Sequence, residues 1–157
     1  MKALFKVAMC LLAVVYIKSR FLDRNLYKEG LLPMTLGFAQ GPSPRENQPL
    51  LIEFWATSCD TCKQSVPHVN ELYSQYNSQG LSVVAITNED PALVEKCMRS
   101  FAMEYPVAFD PKSRYFDAFH VGPIPHAFLI DRAGKIVWDG HPMNIKASQI
   151  EKLVAAE

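Results

Sequence analysis

From position 50 onward, apolar residues come in runs that match strands and helices in turn. Two β-prone apolar runs, at residues 50–55 and 81–87, predict buried strands. Between them, apolar positions recur at helical spacing over residues 59–79, and Gly80 is placed to end that helix. This alternation of strand and helix predicts an α/β fold.

The second half of the chain continues the alternation. Asp90 and Pro91 supply an N-cap and a proline at the first helical position, which predicts a helix running to residue 102. The other predicted elements are a strand at 106–109, a short helix at 115–119, a hairpin with strands at 126–130 and 136–138, and a closing helix at 147–154. Together these elements predict a central mixed β-sheet flanked by helices.

The residues before position 50 are less regular. Residues 41–49 are rich in glycine and proline and predict a loop, while residues 34–38 predict a short edge strand. We therefore divide the chain into an N-terminal hydrophobic segment at 1–20, a linker with this edge strand at 21–49, and a globular domain at 50–157.

The N-terminal segment contains an apolar run of 11 residues, 7–17, with Lys2 and Lys6 before it. Counted from residue 3 to residue 17, it is still shorter than the roughly 20 residues that span a bilayer comfortably. We expect an uncleaved hydrophobic helix that anchors the domain to a membrane, on its periplasmic or other extracytoplasmic side. A cleaved signal and a helix of a soluble, cytoplasmic protein remain open. Cys10 receives no role, because the residues before it do not resemble a lipoprotein signal.

The charge balance excludes one class of function. Sixteen basic and 16 acidic residues give a formal net charge of zero, whereas nucleic-acid-binding proteins normally carry a basic excess. Four cysteines are too few for a chain of 157 residues to depend on disulfides for its fold. The informative feature is the spacing of two of them.

Cys59 and Cys62 lie where the predicted strand at 50–55 passes into the helix at 59–79. A helix N-terminus carries unsatisfied N–H groups and a partial positive charge, and both stabilise a thiolate. We expect Cys59 to attack a disulfide and Cys62 to resolve the mixed disulfide. Half of a zinc site and a structural disulfide are the alternatives, but no second pair with zinc-ligand spacing exists, and so short a loop would stabilise the fold little.

Residues 54–63 resemble the active site of the thioredoxin superfamily, and residues 50–142 resemble its TlpA/ResA/DsbE-like branch of thiol–disulfide oxidoreductases. Pro67 matches the proline that kinks the active-site helix of the superfamily. Residues 122–131 resemble the strand that follows a cis-proline, and residues 91–109 resemble the helix and strand inserted in this branch. The resemblance therefore implies a thioredoxin fold.

The resemblance also implies a substrate-binding surface. The Ile124–Pro125 bond would be cis and face the cysteines, and the Ile124 backbone would pair with an extended substrate segment. Pro123 as the cis residue is the alternative. Gly140 would line the same groove, where a glycine allows close backbone approach.

Glu53 lies six positions before Cys59 in an apolar strand, where the superfamily has a buried acid beneath the second cysteine. Desolvation would raise its pKa and suit it to accept the Cys62 proton. The alternative is a solvated glutamate at an edge, with no catalytic part.

The chain departs from the family pattern around the cysteines. Ser58 stands where many relatives carry tryptophan, and Asp60-Thr61 replaces a dipeptide that usually ends in proline. A carboxylate next to Cys59 disfavours its thiolate, so we expect a reducing protein. Cys97 shares an apolar helix face and is expected in the core. His126 is expected to be an ordinary strand residue, with tuning of Cys59 as the alternative, and His141 is unassigned.

These observations predict a monomeric thiol–disulfide oxidoreductase that reduces protein disulfides and takes electrons from an upstream thiol donor. Its redox group is the Cys59–Cys62 disulfide, with no other cofactor and no metal. A thiol peroxidase of the peroxiredoxin type and a non-enzymatic metal carrier are the alternatives. The peroxiredoxin motif requires a proline and a threonine or serine where this chain has Ile52 and Ala56.

Overall fold

The computed structural model describes residues 25–26 and 36–156, which contain a six-stranded mixed sheet with helices on both faces. The expected membrane anchor at residues 3–17 lies outside the described residues. Among those described, no helix is both long and apolar enough to cross a membrane.

The elements follow one another along the chain as the alternating pattern predicts. The strands are β1 (Gly37–Gln40), β2 (Leu50–Phe54), β3 (Ser82–Thr87), β4 (Val107–Phe109), β5 (His126–Ile130) and β6 (Ile136–Gly140). The helices are α1 (Asp60–Tyr76), α2 (Pro91–Phe101), α3 (Arg114–Ala118) and α4 (Ala147–Ala155), with 3₁₀ turns at Asn77–Gln79 and Pro142–Asn144. The predicted thioredoxin fold, a mixed sheet between helices, is confirmed.

The strand order in the sheet is β1-β4-β3-β2-β5-β6. Strands β2, β3 and β4 run parallel, while β1 is antiparallel to β4, β5 to β2 and β6 to β5. The carboxyl ends of the three parallel strands and the start of β5 therefore meet at one edge of the sheet. In open α/β sheets, ligands bind at this kind of edge.

Side chains alternate between the two faces of β2, as expected for a strand covered on both sides. Leu51 and Trp55 pack in the core beneath α1, α2 and α4, whereas Ile52 and Phe54 pack in the core that includes α3. Glu53 has the parity of Leu51 and Trp55, so its carboxyl is directed toward α1.

The described part of the linker packs against the domain. Leu26 is fully buried in the α3-side core, and its N–H donates to the Gly134 carbonyl at 2.8 Å. Of the edge strand predicted at 34–38, residues 34–35 lie outside the described residues. The described strand β1 begins at Gly37 and extends two residues beyond the predicted end, because its bounds follow pairing with β4 and a register shift after Phe38. It ends before Gly41, where φ is 73° and a Cβ would lie 2.8 Å from the Pro106 ring.

Asp110 organises the loop between β4 and α3. Its carboxylate is 2 % exposed and accepts the backbone N–H groups of Arg114, Tyr115 and Phe116 at 2.9, 2.8 and 3.2 Å. These N–H groups belong to the first turn of α3 and have no partner within the helix. The carboxylate thus fixes the position at which α3 begins.

We expect Asp110→Ala to lower the free energy of unfolding by about 2–4 kcal/mol, because three backbone N–H groups, one of them on the buried Tyr115, lose a charged acceptor. Urea denaturation of the oxidised protein measures this change. Asp117→Ala, which removes an exposed carboxylate from the same helix, is the matched control and should change stability by less than about 0.5 kcal/mol. Equal effects of the two substitutions would contradict the capping role.

Candidate active site

Cys59 and Cys62 are joined by a disulfide at the start of α1, with their Cα atoms 5.2 Å apart. Cys59 is the N-cap residue and has extended backbone angles, φ −93° and ψ 100°. Cys62 is fully buried, whereas Cys59 is only partly buried. An incoming disulfide can therefore reach Cys59 before Cys62, which matches the order of attack and resolution predicted from the sequence.

Two hydrogen-bond donors point at the Cys59 sulfur. The Cys62 N–H lies 3.1 Å from Sγ, and the Thr61 hydroxyl lies 3.4 Å from it. A disulfide sulfur has no proton, so the Thr61 hydroxyl is the donor in the oxidised protein. Both groups would stabilise a thiolate once the disulfide opens.

The Asp60 carboxylate lies on the outer side of the same turn. Its side chain is 85 % exposed, and it accepts from the Lys63 ammonium at 3.1 Å. Solvent and this cation both weaken the repulsion between the carboxylate and a Cys59 thiolate. The effect of Asp60 expected from the sequence is thereby reduced by a partner one turn along the helix.

The segment before β5 faces the disulfide. The Ile124–Pro125 peptide bond is cis, and it is Pro125 rather than Pro123 that has this geometry among the described residues. The Ile124 carbonyl oxygen lies 3.8 Å from Cys59 Sγ. The carbonyl of the partly buried Ile124 thus lies beside the disulfide.

Glu53 is completely buried beneath the active-site helix. Its two carboxyl oxygens accept from the Ser65 hydroxyl at 2.8 Å and from the Tyr105 hydroxyl at 2.9 Å. Burial raises the pKa of Glu53 from 4.5 to about 7, and the two hydrogen bonds act in the opposite direction. The alternative of a solvated edge glutamate is therefore wrong.

Gly140 ends β6 beside the cis-proline segment. A register shift in the β5–β6 pair leaves Val137 unpaired, so Ile136 packs in the α3-side core and Trp138 in the core beneath α1. The Trp138 indole then lies against Gly140, where a Cβ would be 3.1 Å from the ring, and the φ of Gly140 is 157°. The tight contact with the Trp138 ring and the positive φ thus both favour glycine at this position.

Glu89, which the sequence reasoning missed, fastens the loop that leads into Cys59. Its carboxylate accepts the Thr57 N–H and the Thr57 hydroxyl, both at 2.7 Å, and the hydroxyl of buried Thr87 at 3.1 Å. Glu89 follows β3 and Thr57 follows β2, so the carboxylate links the ends of neighbouring strands. The positions of Glu89 and Thr57 in the sequence do not indicate these hydrogen bonds, because the two residues meet only in the folded sheet.

We expect Glu89→Ala to lower the free energy of unfolding by about 2–3 kcal/mol and to reduce the rate of disulfide exchange, because Cys59 loses its fixed approach geometry. Urea denaturation and a thiol-exchange assay measure the two effects. Glu95→Ala, an exposed glutamate of α2, is the control and should be neutral. Unchanged exchange in Glu89→Ala would show that the loop keeps its geometry without the carboxylate.

The other residues considered in the sequence analysis have no described contact with the disulfide. Cys97 is a half-buried free thiol that packs against the core beneath α1, as predicted. His126 packs on Phe128, at 4.9 Å between ring centroids, and its Nε2 lies 3.3 Å from Asp139. By strand parity this is the α3 side of the sheet, opposite to Cys62. His141 is exposed, and its Nδ1 accepts the Met143 N–H at 3.3 Å.

No group of three or more histidine, cysteine or acidic side chains within residues 25–26 and 36–156 is arranged to hold a metal ion. The polar groups near the disulfide are instead hydroxyls, carboxyls and peptide groups. This set of groups can stabilise a thiolate, move a proton and bind an extended peptide.

Comparisons with known proteins agree with this geometry. A family model described as the AhpC/TSA family matches residues 43–139. The thiol-disulfide oxidoreductase ResA of Geobacillus thermodenitrificans is 38% identical over 88 residues, which are 55% of this chain and 51% of that protein. ResA of Bacillus subtilis is 30% identical over 138 residues, 83% of this chain and 77% of that protein.

The fold has solved counterparts. The crystal structure of StoA from Bacillus subtilis superposes with a TM-score of 0.63 at 22% identity, covering 75% of this chain and 92% of StoA. The match to the Geobacillus ResA spans about half the length of that relative.

Proposed function

Because this chain belongs to the AhpC/TSA family, we propose that it is a thiol–disulfide oxidoreductase in which Cys59 attacks and Cys62 resolves. One observation carries the proposal: a disulfide at a helix N-terminus joins a partly exposed cysteine to a fully buried one. The similarity to ResA supports the same activity, since ResA is described as a thiol-disulfide oxidoreductase.

The reaction begins from the reduced pair. The Cys59 thiolate forms a bond to one sulfur of a substrate disulfide, and the other sulfur leaves as a thiolate that takes up a proton. Cys62 then loses its proton and attacks Cys59 Sγ, which breaks the mixed disulfide and releases the second substrate thiolate. Two electrons pass from the cysteine pair to the substrate, and no further cofactor is required.

Glu53 would act in the second step as the acceptor of the Cys62 proton. A carboxyl with a pKa of about 7 is near equal protonation at neutral pH, which suits a group that gains and returns a proton in one cycle. Burial is the cause of this pKa, so the same environment that holds Glu53 in place also tunes it.

The cis-proline segment would bind the substrate. The Ile124 peptide, whose carbonyl oxygen lies 3.8 Å from Cys59 Sγ, would pair with an extended segment of a partner protein by strand addition. Gly140, at the end of the neighbouring strand, would allow that segment to approach the backbone closely. Pro125 would hold the Ile124 carbonyl toward the disulfide.

We propose reduction as the direction, with an upstream thiol protein as the electron donor and the monomer as the active form. The carboxylate of Asp60 and the Ile124 side chain before the proline support this direction.

Residues 1–20 would anchor the domain or export it, with residues 21–49 as the linker and residues 50–157 as the catalytic domain on the extracytoplasmic side. A reporter fused after residue 30 tests this topology.

Trapping tests the exchange mechanism. Cys62→Ser leaves Cys59 unable to complete the cycle, so a mixed disulfide between Cys59 and the substrate should accumulate in cells and be released by a reductant. Cys59→Ser, which lacks the attacking sulfur, is the control. Equal recovery of captured partners with both variants would contradict the proposed roles.

A further inference from the structure

The hydroxyl of Ser65 lies between the buried acid and the second cysteine. Its Oγ is 2.8 Å from Glu53 Oε1 and 2.8 Å from the carbonyl oxygen of Cys62, and Ser65 is fully buried. A serine hydroxyl has one proton to donate. While Glu53 is ionised, Ser65 can therefore donate to only one of these two acceptors.

The groups around Glu53 are otherwise neutral. Tyr105 donates to the second carboxyl oxygen, and the residues beside Glu53 on β3 and β5 are Ala85 and Ala127. In the part of the chain that the structure describes, no basic side chain forms an ion pair with Glu53. Among the described residues, the titratable group in contact with this carboxyl is thus Tyr105.

The two protonation states of Glu53 require different arrangements of the Ser65 proton. The ionised carboxylate draws the Ser65 proton to itself, because a hydrogen bond to a charged acceptor is the stronger one. When Glu53 is protonated, its own O–H can donate to Ser65, and the Ser65 proton is free to bond the Cys62 carbonyl. The hydroxyl therefore changes its acceptor when Glu53 gains a proton.

We propose that Ser65 is a positioning residue that stabilises the ionised form of Glu53 and links its protonation to the first turn of α1, with Tyr105 holding the other carboxyl oxygen. The inference rests on the proposed function, in which Glu53 takes the Cys62 proton. Without the two hydroxyls, the buried carboxyl would stay protonated to higher pH and serve as a base only under more alkaline conditions.

The titration of Glu53 in the oxidised protein tests this without relying on activity, because disulfide-bonded cysteines do not titrate. The pH midpoint of the Glu53 titration can be followed by carbon-13 NMR of its carboxyl group. In Ser65→Ala and in Tyr105→Phe this midpoint should lie about one pH unit above that of the unmodified chain. Ser100→Ala is the matched control: Ser100 also donates to the carbonyl three residues earlier, that of Cys97 at 2.6 Å, but it is exposed.

Single-turnover resolution of a mixed disulfide at Cys59 provides the second measurement. In Ser65→Ala the rate should fall about fivefold at pH 7 and recover at alkaline pH, with its midpoint displaced as in the NMR titration. Ser65→Thr, which keeps the hydroxyl, should restore the midpoint. A merely structural serine would lower stability without moving either midpoint.

Two results overturn the proposal, and they are distinguishable. An unchanged Glu53 midpoint in both Ser65→Ala and Tyr105→Phe, with resolution still dependent on Glu53, removes the role of the hydroxyls and leaves the oxidoreductase function intact. Resolution that is unaffected by Glu53→Gln at every pH removes the role of Glu53 itself, and the inference about Ser65 is lost with it.

Discussion

Cys59→Ser should abolish the reduction of protein disulfides, with a loss of at least about a thousandfold in kcat/KM. A serine hydroxyl at this position cannot become the anionic nucleophile that thiol–disulfide exchange requires. The donors around Cys59, namely the Cys62 N–H and the Thr61 hydroxyl, can stabilise a thiolate but cannot ionise an alcohol near neutral pH. Turnover of insulin disulfides with a chemical thiol as the electron source measures the loss.

Cys97→Ser is the matched control for this substitution. Cys97 is a free, half-buried thiol on α2, so its loss should leave turnover within about twofold of the unmodified chain. Reduction that survives in Cys59→Ser and disappears in Cys97→Ser would reverse the assignment of the nucleophile.

The second large effect is on stability. The free energy of unfolding of the oxidised protein should fall by about 3 kcal/mol between pH 4 and pH 8, relative to Glu53→Gln. Burial raises the pKa of Glu53 from an ordinary value of 4.5 to about 7. The difference of roughly 2.5 pH units, at about 1.4 kcal/mol for each, gives this estimate.

The sign follows from which state binds the proton. Below pH 4.5 Glu53 is protonated in both the folded and the unfolded chain, so its contribution to stability is fully present. As the pH rises toward 7, the unfolded chain loses the proton while the folded chain retains it, and stability is lost. Above the folded pKa both states are ionised, so the curve levels off.

Urea denaturation across this pH range measures the effect. Glu53→Gln is neutral at every pH, and its curve reports all other titrating groups, so the difference between the two curves isolates Glu53. Parallel curves would contradict a raised pKa, and a difference of the opposite sign would indicate a carboxylate stabilised in its ionised form.

The strands and helices could be predicted because the spacing of apolar residues within each segment indicates its secondary structure. Strand β2 is apolar along its length except for Glu53, and α1 ends within three residues of the predicted stop, before a 3₁₀ turn. Strand β1 extends two residues beyond its predicted end at residue 38, because its short sequence has no strong period. Its bounds are set by β4, which lies more than sixty residues away in the chain.

Some active-site residues could likewise be predicted from local sequence spacing, whereas others could not. Cys59, Cys62 and Glu53 stand at fixed spacings within one strand and one helix, so a sequence pattern can identify them. Tyr105 and Glu89 come from other elements and meet the site only when the sheet assembles. A carboxyl group predicted to be buried must accept hydrogen bonds from other residues, so donors were to be expected near Glu53. The sequence did not indicate which residues would supply those donors.

The face of the sheet on which Trp138 lies could not be predicted from the sequence. Strict alternation along β6 would place Ile136 and Trp138 on the same face, yet the register shift at Val137 places them on opposite faces. A bulge of this kind reorients a side chain without any clear mark in the sequence. Consequently, the contact that explains Gly140 was visible only in the folded chain.

We expect two electrons to pass from the reduced Cys59–Cys62 pair to a protein disulfide. The reduced protein, mixed with a stoichiometric amount of a protein disulfide and no other thiol, tests this transfer by mass spectrometry of the quenched products. One new Cys59–Cys62 disulfide should form for each substrate disulfide that is broken. A substrate that is left oxidised beside a pair that remains as two thiols would contradict it.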